Sequence, residues 1–423
     1  MIMLATGMPI AFSFLLVCVA MVYFLWGGDT GIRTLVTSIS AHMTRFVILP
    51  LPLFILMGEV IFHSGIAPNM IDTLDKWLGR LPGRLGLLAV ASGTLLATLT
   101  GASMGSTAIL GSLLTPEMEE RGYKKSMSLG PILGSGGLAI MIPPSGLAVF
   151  LGAIGMISIG NILIAIVLPG LLMAALYTAY IILRCKFQPA IAPPYVVAPP
   201  PLSDRLLATV KYILPIGFII FLVIGVILLG IATPSEAAAT GALGTFLLAA
   251  AYRRLSWEVI KKSVMGAFQL TVLVFTILMG AYAFAQVLAF SGAGKGLANF
   301  IIGLPLDPIF IFIGIQLFAL LMGMFITPTG VMTIIVPIFM PVINALGFNP
   351  VWFAVTLLLN VEMATTSPPF GSGLYVMKGV APPGTTMGDC YRAALPFLGC
   401  DLIAMVLIIA FPSLALWLPG IIR

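Results

Sequence analysis

Long apolar segments recur from one end of this 423-residue chain to the other, and four of them are broken in the middle by short runs of glycine, proline, serine and threonine. About 20 apolar residues are needed for a helix to cross a ~30 Å hydrocarbon layer. Uninterrupted runs of that order fall near 8–26, 46–64, 161–184, 206–231, 235–252, 263–290 and 393–420. The other four differ. TGASMGST and TPTG interrupt 85–118 and 308–345, while IPPSG and SPPFGSG interrupt 123–159 and 350–380. The pattern predicts two re-entrant helical hairpins and two broken helices. Hydrophobic residues make up 60% of the chain and charged residues 8%, which leaves too little polar surface to coat a water-soluble globule. The expected fold class is an all-α polytopic membrane protein. The run from Leu4 to Trp26 is too long for a cleavable signal and lacks a basic flank and a cleavage site, so it is expected to be retained.

The interruptions keep register. A shift of 225 residues places Pro9 on Pro234, Gly105 on Gly330, Pro116 on Pro341, Pro143-Pro144 on Pro368-Pro369, and Gly146 on Gly371. One offset across all of these, with the same order of element types, predicts an internal duplication. Residues 1–185 form a first repeat, 206–423 a second, and 186–205, containing APPYVVAPPP, a proline-rich cytoplasmic linker. Loop charge predicts that the repeats are inverted. With the first hairpin's base, near Arg84 and Arg121, placed inside, only Arg33, Arg45, Lys295 and Arg423 of the 20 basic residues fall outside. The second copy has a helix, 206–231, ahead of its Thr-Pro, whereas the first has only Met1 to Met8 ahead of Pro9, so the chain is expected to begin inside its first span. Segments 66–80 and 254–262 mix apolar and charged residues at helical spacing and predict helices lying in the interface.

A helix broken within lipid leaves backbone groups unpaired at a cost of several kcal/mol each, so such breaks persist only where protein or a ligand satisfies them. Freed carbonyls and hydroxyls are hard donors for a small cation, and half-helix N-termini attract an anion. The candidate groups are Ser103, Ser106 and Thr107 with Pro143, Pro144, Ser145 and Gly146 in the first repeat. In the second they are Thr327, Thr329 and Gly330 with Thr366, Ser367, Pro368, Pro369 and Gly371, and Asn360 lies within two turns of Pro368. Small residues also let membrane helices approach closely, but packing alone does not require paired prolines at both breaks. Glu59, Glu236 and Glu362 are expected near an interface in structural roles, Glu236 in the first turn of a helix after Thr-Pro-Ser. Lys378 is expected to snorkel to the cytoplasmic surface.

Other chemistries lack their residues. No GxxxxGK[ST] run, dinucleotide fingerprint or nucleophile–base pair is present, so no enzyme activity, ATP use or prosthetic cofactor is expected. Cys18, Cys185, Cys390 and Cys400 have no CxxC spacing and there are two histidines, His42 and His63, which argues against zinc or a disulfide framework. The net charge of +6 is spread over short loops rather than a stripe, so no nucleic-acid partner is expected.

With these residues in hand, the chain resembles the large membrane subunit of the tripartite ATP-independent periplasmic (TRAP) transporters over nearly its whole length. The carriers are GMPIAF at 7–12, PLFILMGEVIFHSGIA at 52–67, TGASMGSTAILGSLLTPEMEERGY at 100–123, MIPPSG at 141–146 and ISIGNILIAIVLPG at 157–170. ATPSEAAA at 232–239, GMFITPTGVMTIIVPIFMPV at 323–342 and SPPFG at 367–371 continue it. The resemblance implies an inner-membrane sodium symporter of bacteria or archaea for a small organic acid anion, an elevator mechanism as in the broader ion-transporter superfamily, a small four-helix membrane subunit and a periplasmic substrate-binding protein. On that reading sodium sits at each hairpin tip against its broken helix, at Gly101, Ser103, Ser106, Ser145 and Gly146 and at Thr327, Thr329, Ser367 and Gly371. Substrate lies between, near Ser103, Thr107, Pro143, Pro144, Asn360, Thr366, Pro368 and Pro369. VEMATT at 361–366 departs from the more apolar, glycine-containing stretch usual before the Pro-Pro, which bears on substrate identity. The competing readings are a carrier of the same superfamily without a binding protein, a channel, and a membrane-embedded enzyme; the scarcity of acids and histidines speaks against the last.

Overall fold

The computed structural model describes residues 8–79, 81–100, 103–193 and 200–421, and the described residues form helices and connecting turns. In chain order the first half supplies α1 (Ile10–Leu25), α2 (Asp29–Met43), α3 (Pro50–Ser64), α4 (Ala67–Leu78), α5 (Arg84–Thr100) and α6 (Ser103–Glu120). It continues with α7 (Gly130–Met141), α8 (Gly146–Gly155) and α9 (Ile159–Phe187). The expected linker 186–205 is helical in its last residues, and from there the second half has α10 (Leu202–Leu228), α11 (Pro234–Ala251), α12 (Trp257–Ser291), α13 (Ala293–Ile302), α14 (Pro308–Gly323) and α15 (Pro328–Ala345). It ends with α16 (Pro350–Thr366), α17 (Ser372–Val380), α18 (Met387–Ala410) and α19 (Ser413–Ile421).

Local chemistry sets these boundaries. Proline opens α3, α11, α14, α15 and α16, where its missing N–H and fixed φ cost nothing. Asp307 and Asn349 cap α14 and α16 by accepting from the amides of Ile309 and Val351 at 3.0 and 2.8 Å. Glycine in the left-handed region ends α3 at Gly65 and α12 at Gly292. Glu236 takes the expected place in the first turn of α11, its carboxylate accepting from the Thr233 amide at 2.8 Å in a capping box.

Among the described residues six helices are long and apolar enough to cross a membrane, and Lys125–Met141, which ends in α7, would make a seventh with α8, the two bent by 43°. The 225-residue shift carries α6 onto α15 end for end, and carries the C-terminus of α7 onto that of α16. It carries α2 and α3 together onto the single 35-residue α12, about 52 Å long.

Four sequence expectations require correction. Segment 254–262 is no separate interfacial helix. Ser256 caps a helix at Trp257, and nothing breaks it before Gly292. The span expected at 393–420 ends at Ala410, because Pro412 cannot extend it, and α19 is a separate helix. Residues 29–43, unassigned by hydropathy, form α2, whose polar face donates a hydrogen bond from Ser38 to Gln286 at 2.9 Å and stacks His42 against Tyr282. Glu362, expected near an interface, is fully buried in the protein interior, since α16 is enclosed by its neighbours along almost its whole length.

The centre of the molecule is the contact between α7 and α16. Every residue of α7 is buried, as is every residue of α16 from Trp352 to Thr366. Helices apolar on all sides belong in such a core. Around them lie the hairpin arms α5–α6 and α14–α15 with α9 and α18, while α1, α3, α11 and α12 pack together alongside.

Candidate functional site

Both hairpins pack on both broken helices. Hairpin arm α6 packs against α7 and α17, and α8, which follows the first break, packs against hairpin arm α15. The half-helix after each break therefore packs on the hairpin arm of the other half.

At the first break, Pro143 and Pro144 are buried and Ser145 is fully buried. The Ser145 hydroxyl accepts from the Ala148 amide at 3.3 Å, capping α8. Ser103, half-buried, opens α6. The Thr107 hydroxyl donates to the Ser103 carbonyl at 3.1 Å. Ser106 and Thr107 are buried, and Gly136 makes this close approach possible, since a Cβ there would overlap the Thr107 hydroxyl. Gly101 lies outside the described residues. Thus the structure joins Ser103 and Thr107 to α7 one to two turns before Pro143.

The second break is more open. A cavity of about 100 Å³ lies between the hairpin tip and the break, lined among others by Gly323, Ile326, Thr327, Thr365, Phe370 and Ser372. Thr327 is exposed, opens α15, and its hydroxyl lies 3.3 Å from that of Thr329. Ser367 and Thr366 donate to the Met363 carbonyl at 2.8 and 3.3 Å. A Cβ on Gly371 would lie 2.5 Å from the Thr365 carbonyl oxygen and 2.8 Å from that of Ser367, so only glycine lets these two carbonyls close in. Tyr391 of α18 donates to the Pro369 carbonyl at 2.8 Å and holds the loop. Both Pro-Pro bonds, 143–144 and 368–369, are cis. The result is a set of hard oxygen donors beside the N-terminus of α15, chemistry that suits a small cation and a bound anion together.

Asn360 is placed otherwise. Its amide donates to the Gln316 carbonyl and side chain at 2.6 and 3.0 Å, tying α16 to α14, and it does not line the cavity. A second, larger cavity of about 450 Å³ lies between Arg45–Pro50, Gly152–Gly160, Thr233–Ser235 and Tyr282, and contains none of the candidate residues.

Hydropathy and motif reading passed over a buried polar group. Asp401 on α18 and Tyr177 on α9 are buried, with the Tyr177 hydroxyl donating to Asp401. Glu362 sits against Gly137, where any Cβ would overlap its carboxylate. The signal that reveals this contact is the 225-residue shift itself, which maps Gly137 onto Glu362.

Comparison of the sequence with known proteins points to one family, and comparison of the structure to a known fold. The family model for the DctM component of the tripartite ATP-independent periplasmic transporter matches residues 1–414. The C4-dicarboxylate TRAP transporter large permease protein DctM of Pseudomonas aeruginosa is 30% identical over 405 residues, 95% of this chain and 92% of its own length. The isethionate TRAP transporter permease protein DctMQ of Oleidesulfovibrio alaskensis is 27% identical over 425 residues, 99% of this chain and 65% of that longer protein. The crystal structure of the Alcanivorax borkumensis YdaH transporter superposes with a TM-score of 0.72 at 14% identity, covering 97% of this chain and 98% of that one, a likeness of fold.

Proposed function

This chain belongs to the DctM-component family of the tripartite ATP-independent periplasmic transporters, and on that premise we propose that it drives sodium-coupled import of a small organic acid anion, a carboxylate or sulfonate, across the bacterial inner membrane. It is a multi-pass transporter subunit, not an enzyme. The observation that carries the reading is the convergence of both hairpins on both broken helices around buried α7 and α16, with oxygen donors and a small cavity at the second break.

In this reading Thr327, Thr329, Ser367 and Gly371 hold one sodium ion, and Ser103, Ser106, Ser145 and Gly146 a second. The anion lies between the breaks, near Thr107, Thr366 and the two Pro-Pro loops. Hydroxyls and carbonyls replace the ion's water, and the ion's charge then draws in the carboxylate or sulfonate. The repeats have inverted topology, and α5–α8 with α14–α17 move as a body past α1, α3, α11 and α12, giving alternate access by an elevator motion. The word tripartite in the family's description, and the fused name of the Oleidesulfovibrio relative, support a small membrane subunit and a periplasmic binding protein as partners.

The test is uptake in proteoliposomes containing this chain, its small subunit and its binding protein, with the substrate first identified by screening ligands on the binding protein. An inward sodium gradient is expected to drive uptake, and omission of the binding protein to abolish it. Uptake driven equally by potassium overturns the sodium assignment; uptake that persists without the binding protein favours an autonomous carrier.

A further inference from the structure

The buried acid on α16 has no role in that scheme. Glu362 has 0% exposure; one carboxylate oxygen lies 3.4 Å from the Thr365 hydroxyl, and the other, Oε1, has no hydrogen-bond partner. The carboxylate rests on the bare Cα of Gly137. Because Gly137 and Glu362 are equivalent under the 225-residue shift, their contact joins corresponding points of the two halves, as happens only close to the axis relating two copies. One half contributes the acid and the other the room for it.

Asp401 lies within electrostatic reach of Glu362, is itself 1% exposed, and accepts a hydrogen bond from the fully buried Tyr177. The cluster thus spans α7, α9, α16 and α18, which pack on one another. Of the helices packed on α16, α7, α8, α14, α15 and α19 carry no ionisable side chain. On α17 these are Tyr375 and Lys378, and on α18 Asp389, Cys390, Tyr391, Arg392, Cys400 and Asp401. On α9 they are Tyr177, Tyr180, Arg184, Cys185 and Lys186. Of these, Asp401 acts on Glu362 and Tyr177 on Asp401, while Cys400 turns to the Leu176 carbonyl at 3.9 Å. Neither carboxylate has an ion-pair partner among the described residues.

Two ionised carboxylates without a counter-charge are among the costliest arrangements a low-dielectric interior can hold. Some positive charge must accompany them. No group of three or more histidine, cysteine, aspartate or glutamate side chains that could hold a metal ion occurs among the described residues. A proton on the unpaired oxygen of Glu362 meets the need without added volume.

We infer that Glu362, with Asp401 and Tyr177, is a proton-binding site at the junction of the two halves, and that its proton must be in place for α16 to sit against α7. Loss of the proton at alkaline pH forces a bare charge against Gly137, within the field of Asp401, and drives the halves apart. Transport is then gated by a proton as well as by the coupling ion at the hairpin tips; this consequence rests on the carrier reading, while the proton site does not.

Two measurements test it. Infrared spectra of the purified chain in detergent are expected to show, at neutral pH, the carbonyl stretch of a protonated carboxylic acid that Glu362→Gln removes and Asp401→Asn leaves. Absence of the band in the unaltered chain, its survival in Glu362→Gln, or its removal by added sodium overturns the proposal. In proteoliposomes, uptake at constant sodium is expected to fall at least about fivefold between weakly acid and weakly alkaline pH, and to vary less than about twofold in Glu362→Gln, whose amide mimics the protonated acid. A flat profile in the unaltered protein, or an unchanged one in the variant, overturns the gating. If the carrier reading alone is at fault, uptake fails while the infrared band remains.

Discussion

The two breaks are built from the same parts and finished differently. Around Pro143-Pro144 the chain is buried, and Ser145 turns its hydroxyl back to cap α8. At the corresponding place after Pro368-Pro369 stands Phe370, 54% exposed, and α17 begins at Gly371 with no side-chain cap. The cavity lies at the second break, and Tyr391 secures its loop from outside. The corresponding positions are therefore finished differently: the described residues of the first break are buried and capped by a local hydrogen bond, and at the second an exposed ring and a cavity lie beside the break. The same division holds one step deeper, where Gly137 in the first half receives Glu362 from the second.

That last contrast gives the largest expected effect. In Gly137→Ala the added methyl group must displace the Glu362 carboxylate, and neither α7 nor α16 has a free side to yield. Overpacking of this kind costs about 1–3 kcal/mol. Uptake is expected to be lost and the thermal unfolding midpoint lowered, and the double variant Gly137→Ala with Glu362→Ala is expected to recover much of the midpoint. Normal uptake in the single variant would show that the halves do not bear on one another here.

Next comes the ion. Thr327→Ala removes a hydroxyl beside the open cavity, and on the proposed sodium reading the half-saturating sodium concentration is expected to rise about tenfold, which corresponds to about 1.4 kcal/mol. Ser103→Ala, at the start of α6, is expected to raise it by a smaller factor. Equal sodium dependence in both variants and the parent would remove the ion from the hairpin tips.

Accessibility tests the comparison directly. A cysteine at Phe370 is expected to react with a membrane-impermeant maleimide roughly tenfold faster than one at Ser145, since thiol reactivity follows exposure. The four native cysteines are buried and contribute a low background. Similar rates at the two positions would mean that the first break opens as readily as the second.

Much of this could be read from residues alone, for stated reasons. Paired prolines in the middle of an apolar run, as at Pro143-Pro144 and Pro368-Pro369, remove two successive amide donors from a helix interior, so the breaks and their common spacing were legible without coordinates. The hairpin arms followed from apolar length. Depth within the protein was not legible: a single acid such as Glu362 in an apolar run looks the same whether it snorkels outward or faces the core. Asp401 and Tyr177 are 224 residues apart, and nothing local to either announces the other. Helix α2 escaped because Thr30, Arg33, Thr34, Thr37 and Ser38 dilute its apolar face, and the division between α18 and α19 because hydropathy runs on through Pro412. At the candidate ion sites, Thr327 and Gly371 were chosen for their chemistry and do lie at the second break, whereas Asn360, chosen for its distance along the helix, faces Gln316 instead.

The smallest expected effect concerns the seal itself. Ser145→Ala deprives α8 of its cap, which costs about 1 kcal/mol where the amide left behind has no water to turn to. Phe370→Ala removes a ring that touches Phe325 at 5.6 Å between centroids but is otherwise exposed, and its effect on stability is expected to stay within about 0.5 kcal/mol. Chemical unfolding of the two variants in the same detergent gives the comparison. If the order is reversed, the exposed ring at the second break does more to hold the fold than the buried hydroxyl at the first. The second break would then be a packed surface in its own right, and its exposed ring would no longer distinguish it from the first.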